Sequence, residues 1–394
     1  MKRKGFGKGL LVVALLLVVI ALACGPASKP ATTAAPPTSQ PATPGVVVQP
    51  ARETPKQRPE ETAWQETVSA ARKEGSVTIY TPFGTPDGKD AVSKAMQDNY
   101  GVRVQWMGLR GAEGAQRIVL EQKSKQYAAD VFWPGFSTLL TNQVRSAGAL
   151  VRFTPPVAIS EPDVWKGKGI RSITDEQDVI ALSINSSNPI IVNTGLVRPD
   201  EYPKSHKDLL DPKWKGKIAM TEVSQSGSGA YTFSILKKEL GVEYWERMKE
   251  QNIAFFKDQG EVGRRVATGE SHIALSLGPV FISPFLTAGA PIKLLPAAEG
   301  SYKTFLPLYL VNNAPNPNSG KVLINFILTK QGQEILARLF SNEPLRKDVE
   351  FKTHPEIQRW LDGTPKWTMG TMENVAAWDA DVAAGTAQKV LGLK

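Results

Sequence analysis

Residues 221–233, TEVSQSGSGAYTF, place Ser226, Gly227 and Ser228 just ahead of a helical pattern. Serine hydroxyls and the freed N–H groups of a glycine-rich turn are donors, and at a helix start they can form a nest for an oxyanion. A flexible surface turn has the same composition. No lysine follows the glycines at Walker A spacing, so this is not a nucleotide phosphate loop. Two other loops offer similar groups. PGFST carries Ser137 and Thr138, whose hydroxyls can face a ligand or cap the next helix. TPFGTPDGK carries Thr81, Phe83 and Gly84, a hydroxyl, an aromatic wall and a flexible backbone donor, in what is otherwise an ordinary proline-rich turn. In GEVGRRVATGE, Arg264 can reach an anionic ligand, although paired arginines commonly lie on an exposed helix face.

Other chemistries lack their residues. There is no G-x-S-x-G elbow for a serine hydrolase, and SGSG has the wrong spacing. His206, His272 and His354 are scattered, form no ligand pair and have no triad context, so zinc is not expected and no metal ligands are assigned. Two carboxylates converging in a cleft, as in a glycosidase, are not visible from sequence either way. The reading is a binding protein without a cofactor, not an enzyme.

These loops need elements to hold them. Short strands alternate with helices of about ten residues from Thr62 onward, the pattern of an α/β fold with largely parallel sheets. Helical spacing covers Ala63–Lys73, Lys89–Asn99, Ala115–Lys125 and Leu139–Ala147, separated by the strands of EGSVTIY, VRVQWMG and ADVFWPG. DVIALSINSSNPIIVNT then supplies two apolar strands, and a second series follows. It comprises KGKIAM, a helix Gly229–Leu240, another around Tyr244–Gln251, a helix Val262–Thr268, HIALSL, a short helix, and IKLLP. FLPLYLV forms a further strand, and Lys321–Leu339 reads as one long amphipathic helix. Two series without a proline-rich break between them imply two lobes joined by strands. In the last fifty residues, Trp360, Trp367 and Trp378 are expected to pack back onto a lobe, a loose tail being the alternative.

The N-terminal region reads differently. MKRKGFGKG is basic, and the apolar run from Gly9 to Ala23 is about fifteen residues, short of the roughly 20 that a membrane span needs. It reads as a secretory signal, residues 1–23, with a short single-pass anchor as the alternative. IALAC resembles the lipobox of bacterial lipoproteins, with Ala21 where leucine is usual, which implies lipidation at Cys24, the only cysteine. Residues 24–61, rich in Pro, Ala, Thr, Ser and Gln, read as a disordered stalk or, alternatively, a proline-rich docking ligand. Removing the four basic residues of the signal from the formal charge of +9 leaves +5. That is too mild, and too unclustered, for a nucleic-acid partner.

ARKEGSVTIYTPFG, ADVFWPG, YPKSHKDLLDPKWKGKIAM and APNPNSGKVLINFILTKQGQEIL together resemble extracellular solute-binding proteins of the ferric-iron and related subfamily, the capture subunits of ABC importers. The likeness covers roughly Thr62 to Asp348. It implies an α/β, two-lobed type II periplasmic-binding-protein-like fold, its lobes joined by two or three hinge strands. Residues 62–348 would form the solute-binding domain, with lobe 1 at about 62–178 and 300–348, lobe 2 at about 179–299, and residues 349–394 as a C-terminal segment. It also implies a small-molecule or oxyanion ligand, an ABC permease as partner, a monomer, and a place on the extracytoplasmic face of the cell membrane, held there by lipid. A ligand-sensing module for a membrane receptor would share the fold. Ferric-binding relatives carry neighbouring tyrosines where GPVFISPFLTAG has Phe281 and Phe285. Phenyl rings do not coordinate, so iron is the minority reading, kept open by Tyr231 and Tyr302.

Overall fold

The computed structural model describes residues 59–166 and 177–393. The signal, Cys24 and the stalk up to residue 58 lie outside the described residues. In chain order the elements begin α1 (Pro59–Glu74), β1 (Ser76–Thr81), α2 (Pro86–Tyr100), β2 (Arg103–Gly108), α3 (Gly111–Ser124), β3 (Val131–Phe132), α4 (Thr138–Ser146), β4 (Leu150–Val151), α5 (Pro156–Ser160) and β5 (Ile180–Ser187). Next come β6 (Ile190–Asn193), β7 (Ile218–Thr221), α6 (Ser228–Leu240), α7 (Val242–Met248), β8 (Ala254–Phe256), α8 (Gln259–Thr268), β9 (Ile273–Leu275), α9 (Ser283–Thr287) and β10 (Ile292–Leu295). The chain ends with β11 (Ser301–Val311), α10 (Pro317–Leu328), α11 (Lys330–Leu339), α12 (Pro355–Gly363), β12 (Trp367–Gly370), α13 (Met372–Ala383) and α14 (Thr386–Leu391).

Two sheets organise these elements. The first has the order β12-β11-β3-β1-β2, with β4 and β5 also paired along β11, and the second has the order β10-β6-β9-β7-β8. Within them β2-β1-β3 and β8-β7-β9 are parallel, as expected of strand–helix alternation. The sheets as wholes are mixed, not largely parallel. β5 carries the chain from the first sheet to the second and β11 brings it back, so the two run antiparallel, from Tyr302 opposite Ser187 to Leu308 opposite Ile180. Their register shifts between Leu306 and Pro307, where proline has no N–H for the ladder. This pair is the connection a hinge requires.

Each sheet has its own core. Val77, Ile79, Trp133, Leu308, Phe326 and Phe340 are buried around the first, and Val192, Trp214, Ile218, Phe233, Trp245 and Ile273 around the second. The expected long helix over Lys321–Leu339 is broken at Thr329, which is extended (φ −65°, ψ 165°) and caps α11 by accepting from the Gly332 N–H at 3.2 Å. The apolar periodicity runs through both helices, so spacing alone hides the break.

The C-terminal segment touches both sheets. α12 packs on β10, and buried Trp360 meets Trp367 edge-on at 5.5 Å. β12 extends the first sheet in parallel along β11, from Trp367 opposite Ser301. α13 packs against both α4 and α6, and α14 packs against α7. Val375 and Trp378 of α13 join Phe136, Tyr231 and Tyr302 in a buried cluster. Among the described residues no helix is long and apolar enough to cross a membrane.

Candidate functional site

Parallel strands present their C-terminal ends, and the helix N-termini that follow them, on one edge of a sheet, where ligands of open α/β sheets bind. Here those edges of both sheets line one cleft of about 130 Å³. Pro82 and Phe83 follow β1, Arg110 follows β2, and Gly135–Ser137 follow β3. From the other sheet, residues 221–228 end β7 and open α6, and residues 257–259 follow β8. Asn185, Ser187 and Thr304 of the crossing strands also line the cleft.

Of the residues expected at the site, Phe83, Ser137, Ser226, Gly227 and Ser228 line this cleft, and Thr81, Gly84 and Thr138 do not. Thr81 is fully buried and its Oγ1 accepts from the Phe83 N–H at 3.0 Å, so it shapes the turn from below. Gly84 sits at φ 110°, and a Cβ there would come within 2.9 Å of the Lys89 chain and 3.0 Å of Phe340. Glycine there is a requirement of the loop path. Phe83 forms an aromatic wall, tilted against Trp133 at 5.7 Å and Phe281 at 6.1 Å. Phe285 packs instead among apolar residues beside the second sheet. Arg264 is tied to Glu261 and Glu270 outside the cleft lining.

Ser137 both caps and donates. Its Oγ accepts from the Leu140 N–H at 3.1 Å, and its proton goes to Oδ2 of Asp379 at 3.0 Å. Thr138 donates to the same Oδ2 through its N–H at 2.7 Å and its hydroxyl at 2.8 Å, and the Leu139 N–H follows at 3.2 Å. The other oxygen, Oδ1, accepts from Ser226 at 2.7 Å and Tyr231 at 3.2 Å. Tyr231 shares its one proton with the Phe136 carbonyl at 2.7 Å. Asp379 is 1 % exposed and belongs to α13. Sequence reasoning missed it, although a signal exists: Val375, Trp378, Asp379 and Val382 form an i, i+3, i+4, i+7 stripe, so an acid stands on the apolar face.

Ser228 contrasts with these neighbours. Its Oγ is buried and has no hydrogen-bond partner among the described residues. The β7–α6 turn that holds it is dense: a Cβ on Gly229 would fall 2.0 Å from the Glu222 carbonyl oxygen. Across the cleft, Arg110 pairs with Glu222 at 2.6 Å and with Glu113 at 2.7 Å, and the Arg110 hydrogen bond holds the Glu113 carboxyl below its usual range. Burial pushes Tyr231 and Tyr302 well above the usual phenol range. Among the described residues no group of three or more His, Cys, Asp or Glu side chains is placed to hold a metal ion.

The geometry is that of two α/β lobes facing one cleft, and the comparisons with known proteins agree. The family of bacterial extracellular solute-binding proteins matches residues 90–362. A putative 2-aminoethylphosphonate-binding periplasmic protein of Salmonella typhimurium is 23 % identical over 331 residues, covering 79 % of this chain and 91 % of that protein. A major ferric iron-binding protein of Neisseria meningitidis is 24 % identical over 276 residues, covering 66 % of this chain and 78 % of its own length. Among solved structures, the substrate-binding protein of an ABC transporter from Agrobacterium tumefaciens superposes with a TM-score of 0.68 at 14 % identity, covering 80 % of this chain and 94 % of that one. The periplasmic binding protein AfuA of Actinobacillus pleuropneumoniae, with fructose-6-phosphate bound, gives 0.66 at 19 % identity, covering 81 % and 99 %.

The fold is therefore of the two-lobed type II periplasmic-binding class. The chain belongs to the bacterial extracellular solute-binding proteins, and it captures a solute outside the cytoplasm.

Proposed function

We propose that the solute is a small polar organic molecule held between the Phe83–Phe281 wall and the Ser226–Ser228 turn, with no chemical change to it. The observation that carries this reading is the buried, unpartnered Ser228 Oγ on a cleft into which loops from both sheets converge. A buried hydroxyl left unsatisfied costs about 1–3 kcal/mol, so a bound acceptor at this point contributes directly to affinity. Of the ligand classes named for relatives, an aminophosphonate or a sugar phosphate fits a cleft with an aromatic wall and hydroxyl donors better than ferric iron does. The Phe281 ring on the cleft lining cannot coordinate a metal, and Tyr231 and Tyr302 are buried.

The mature protein begins at Cys24, carries a lipid there, and is joined by the stalk of residues 24–61 to a solute-binding domain of residues 62–348. Residues 62–178 and 300–348 make one lobe and 179–299 the other, with 349–394 completing the fold as a monomer. The basic leader, the apolar run ending at Cys24 and the proline-rich composition support this arrangement. A thermal-shift panel of aminophosphonates, sugar phosphates, polyamines and ferric chelates tests the ligand reading. Stabilisation by an organic solute is expected, reduced in Phe83→Ala. Stabilisation by ferric chelates alone, or turnover of a panel member, would overturn it.

A further inference from the structure

Asp379 has the surroundings of a bound oxyanion. Two backbone N–H groups at the start of α4 and the hydroxyls of Ser137, Thr138, Ser226 and Tyr231 all point at one carboxylate, between 2.7 and 3.2 Å away. Neutral donors at a helix N-terminus, with no cation among them, are how proteins commonly hold a phosphate or a carboxylate ligand. The donors also come from both sides. Ser137, Thr138 and Leu139 follow β3 of the first sheet, and Ser226 and Tyr231 follow β7 of the second. The carboxylate therefore bridges the two lobes from a residue more than 140 positions away in sequence.

We propose that Asp379 is a built-in anion: the C-terminal helix α13 fills the cleft's oxyanion seat with the chain's own carboxylate. It thereby bars a phosphate or carboxylate group of a solute from that seat and joins the lobes before any solute arrives. The helix is held firmly enough to do this. Trp378, the preceding residue, is buried 5.1 Å from the ring of Tyr231 and 5.6 Å from that of Tyr302. Lys237 of α6 pairs with Asp381, two residues after Asp379. A tethered group has a high effective concentration, so a free anion does not compete with it at ordinary levels. Asp379 is thus a specificity-determining residue for the solute reading above, on which this inference rests. An anionic group on the solute has to be met elsewhere: Lys257 lines the cleft, and Arg110 beside it is already paired with Glu113 and Glu222.

Inorganic phosphate is the probe, because its binding does not depend on knowing the solute. Thermal shift and calorimetry are run on the mature chain and on Asp379→Ala, with Asp379→Ser as a second variant that leaves a hydroxyl for the α4 amides. The expected result is little phosphate response in the unaltered protein and binding in the variants tighter by about tenfold or more. Equal phosphate binding with and without Asp379 would overturn the proposal, as would folded variants that gain none. Variants that stay unfolded even with phosphate or acetate present would also overturn it, since a free anion should then replace the missing carboxylate. The solute panel reads out separately, so loss of this inference leaves solute capture standing or falling on its own.

Discussion

At the Asp379 end of the cleft, four hydroxyls and two helix N–H groups are spent on a carboxylate from the same chain. Along the rest of the cleft lining, Ser228 Oγ is buried without a partner, and Phe83 and Phe281 form an aromatic wall. Both regions draw on the same loops and residue types: Ser226 and Ser228 are two positions apart, one bonded to Asp379 and the other unpartnered. Donor chemistry thus does not locate a ligand by itself. What distinguishes the two regions is which donors the rest of the chain has already met, and that depends on a helix supplied from the last quarter of the sequence.

The largest test of this contrast removes the helix's anchor. Trp378→Ala should destabilise the protein by about 3–5 kcal/mol, the usual cost of deleting a buried tryptophan, read from denaturant unfolding. A loss below about 1 kcal/mol would mean that α13 is loosely docked and that the Asp379 end is open too.

A second test uses acid and a buried pair away from both regions. Burial alone would raise the Glu299 carboxyl, but its bonds to the ring and N–H of His206 outweigh this and bring it down to about 2. A carboxyl whose folded value is depressed stabilises the fold fully above its ordinary value of 4.5, and that contribution is lost as pH falls from there toward about 2. Glu299→Gln should therefore lower stability at neutral pH by up to about 2 kcal/mol and flatten the acid limb in that window. An unchanged acid limb would show that other carboxylates set it.

Smaller effects separate ligand from scaffold. Ser228→Ala should leave the free protein as stable as before or slightly more so, because it removes an unmet hydroxyl, while solute affinity falls about tenfold by calorimetry. Loss of stability with affinity intact would move Ser228 to the scaffold side of the comparison. At the rim, Arg110→Ala should cost about 0–1 kcal/mol, less in high salt, because its pairs with Glu113 and Glu222 are only partly buried.

Much of the fold was legible in sequence because each sheet is built by strand–helix alternation with clear apolar periodicity, as in SVTIYT of β1 and IALSINSS of β5. The break at Thr329 was not legible, because an apolar stripe continues across it and only the cap marks it. At the site, loop composition pointed to turns that the fold brings to one cleft. Within them, Thr81 and Gly84 have local roles that short-range steric and hydrogen-bond constraints impose, and Thr138 is engaged by Asp379. That last partner lies 241 positions away, beyond the reach of any local pattern, although its place on an apolar helix stripe marked it as a buried charge in need of donors.

Hydrogen exchange resolved to single amides tests the comparison most directly. Amides in the first turn of a helix ordinarily exchange quickly, having no intrahelical acceptor. In the solute-free protein the Thr138 and Leu139 amides should exchange slowly, held by Asp379, whereas amides at Gln225–Gly227 should become protected only when a solute from the panel is added. Fast exchange at Thr138 and Leu139 until solute is present would contradict the account, because the seat would then be open to the ligand and not filled by the chain.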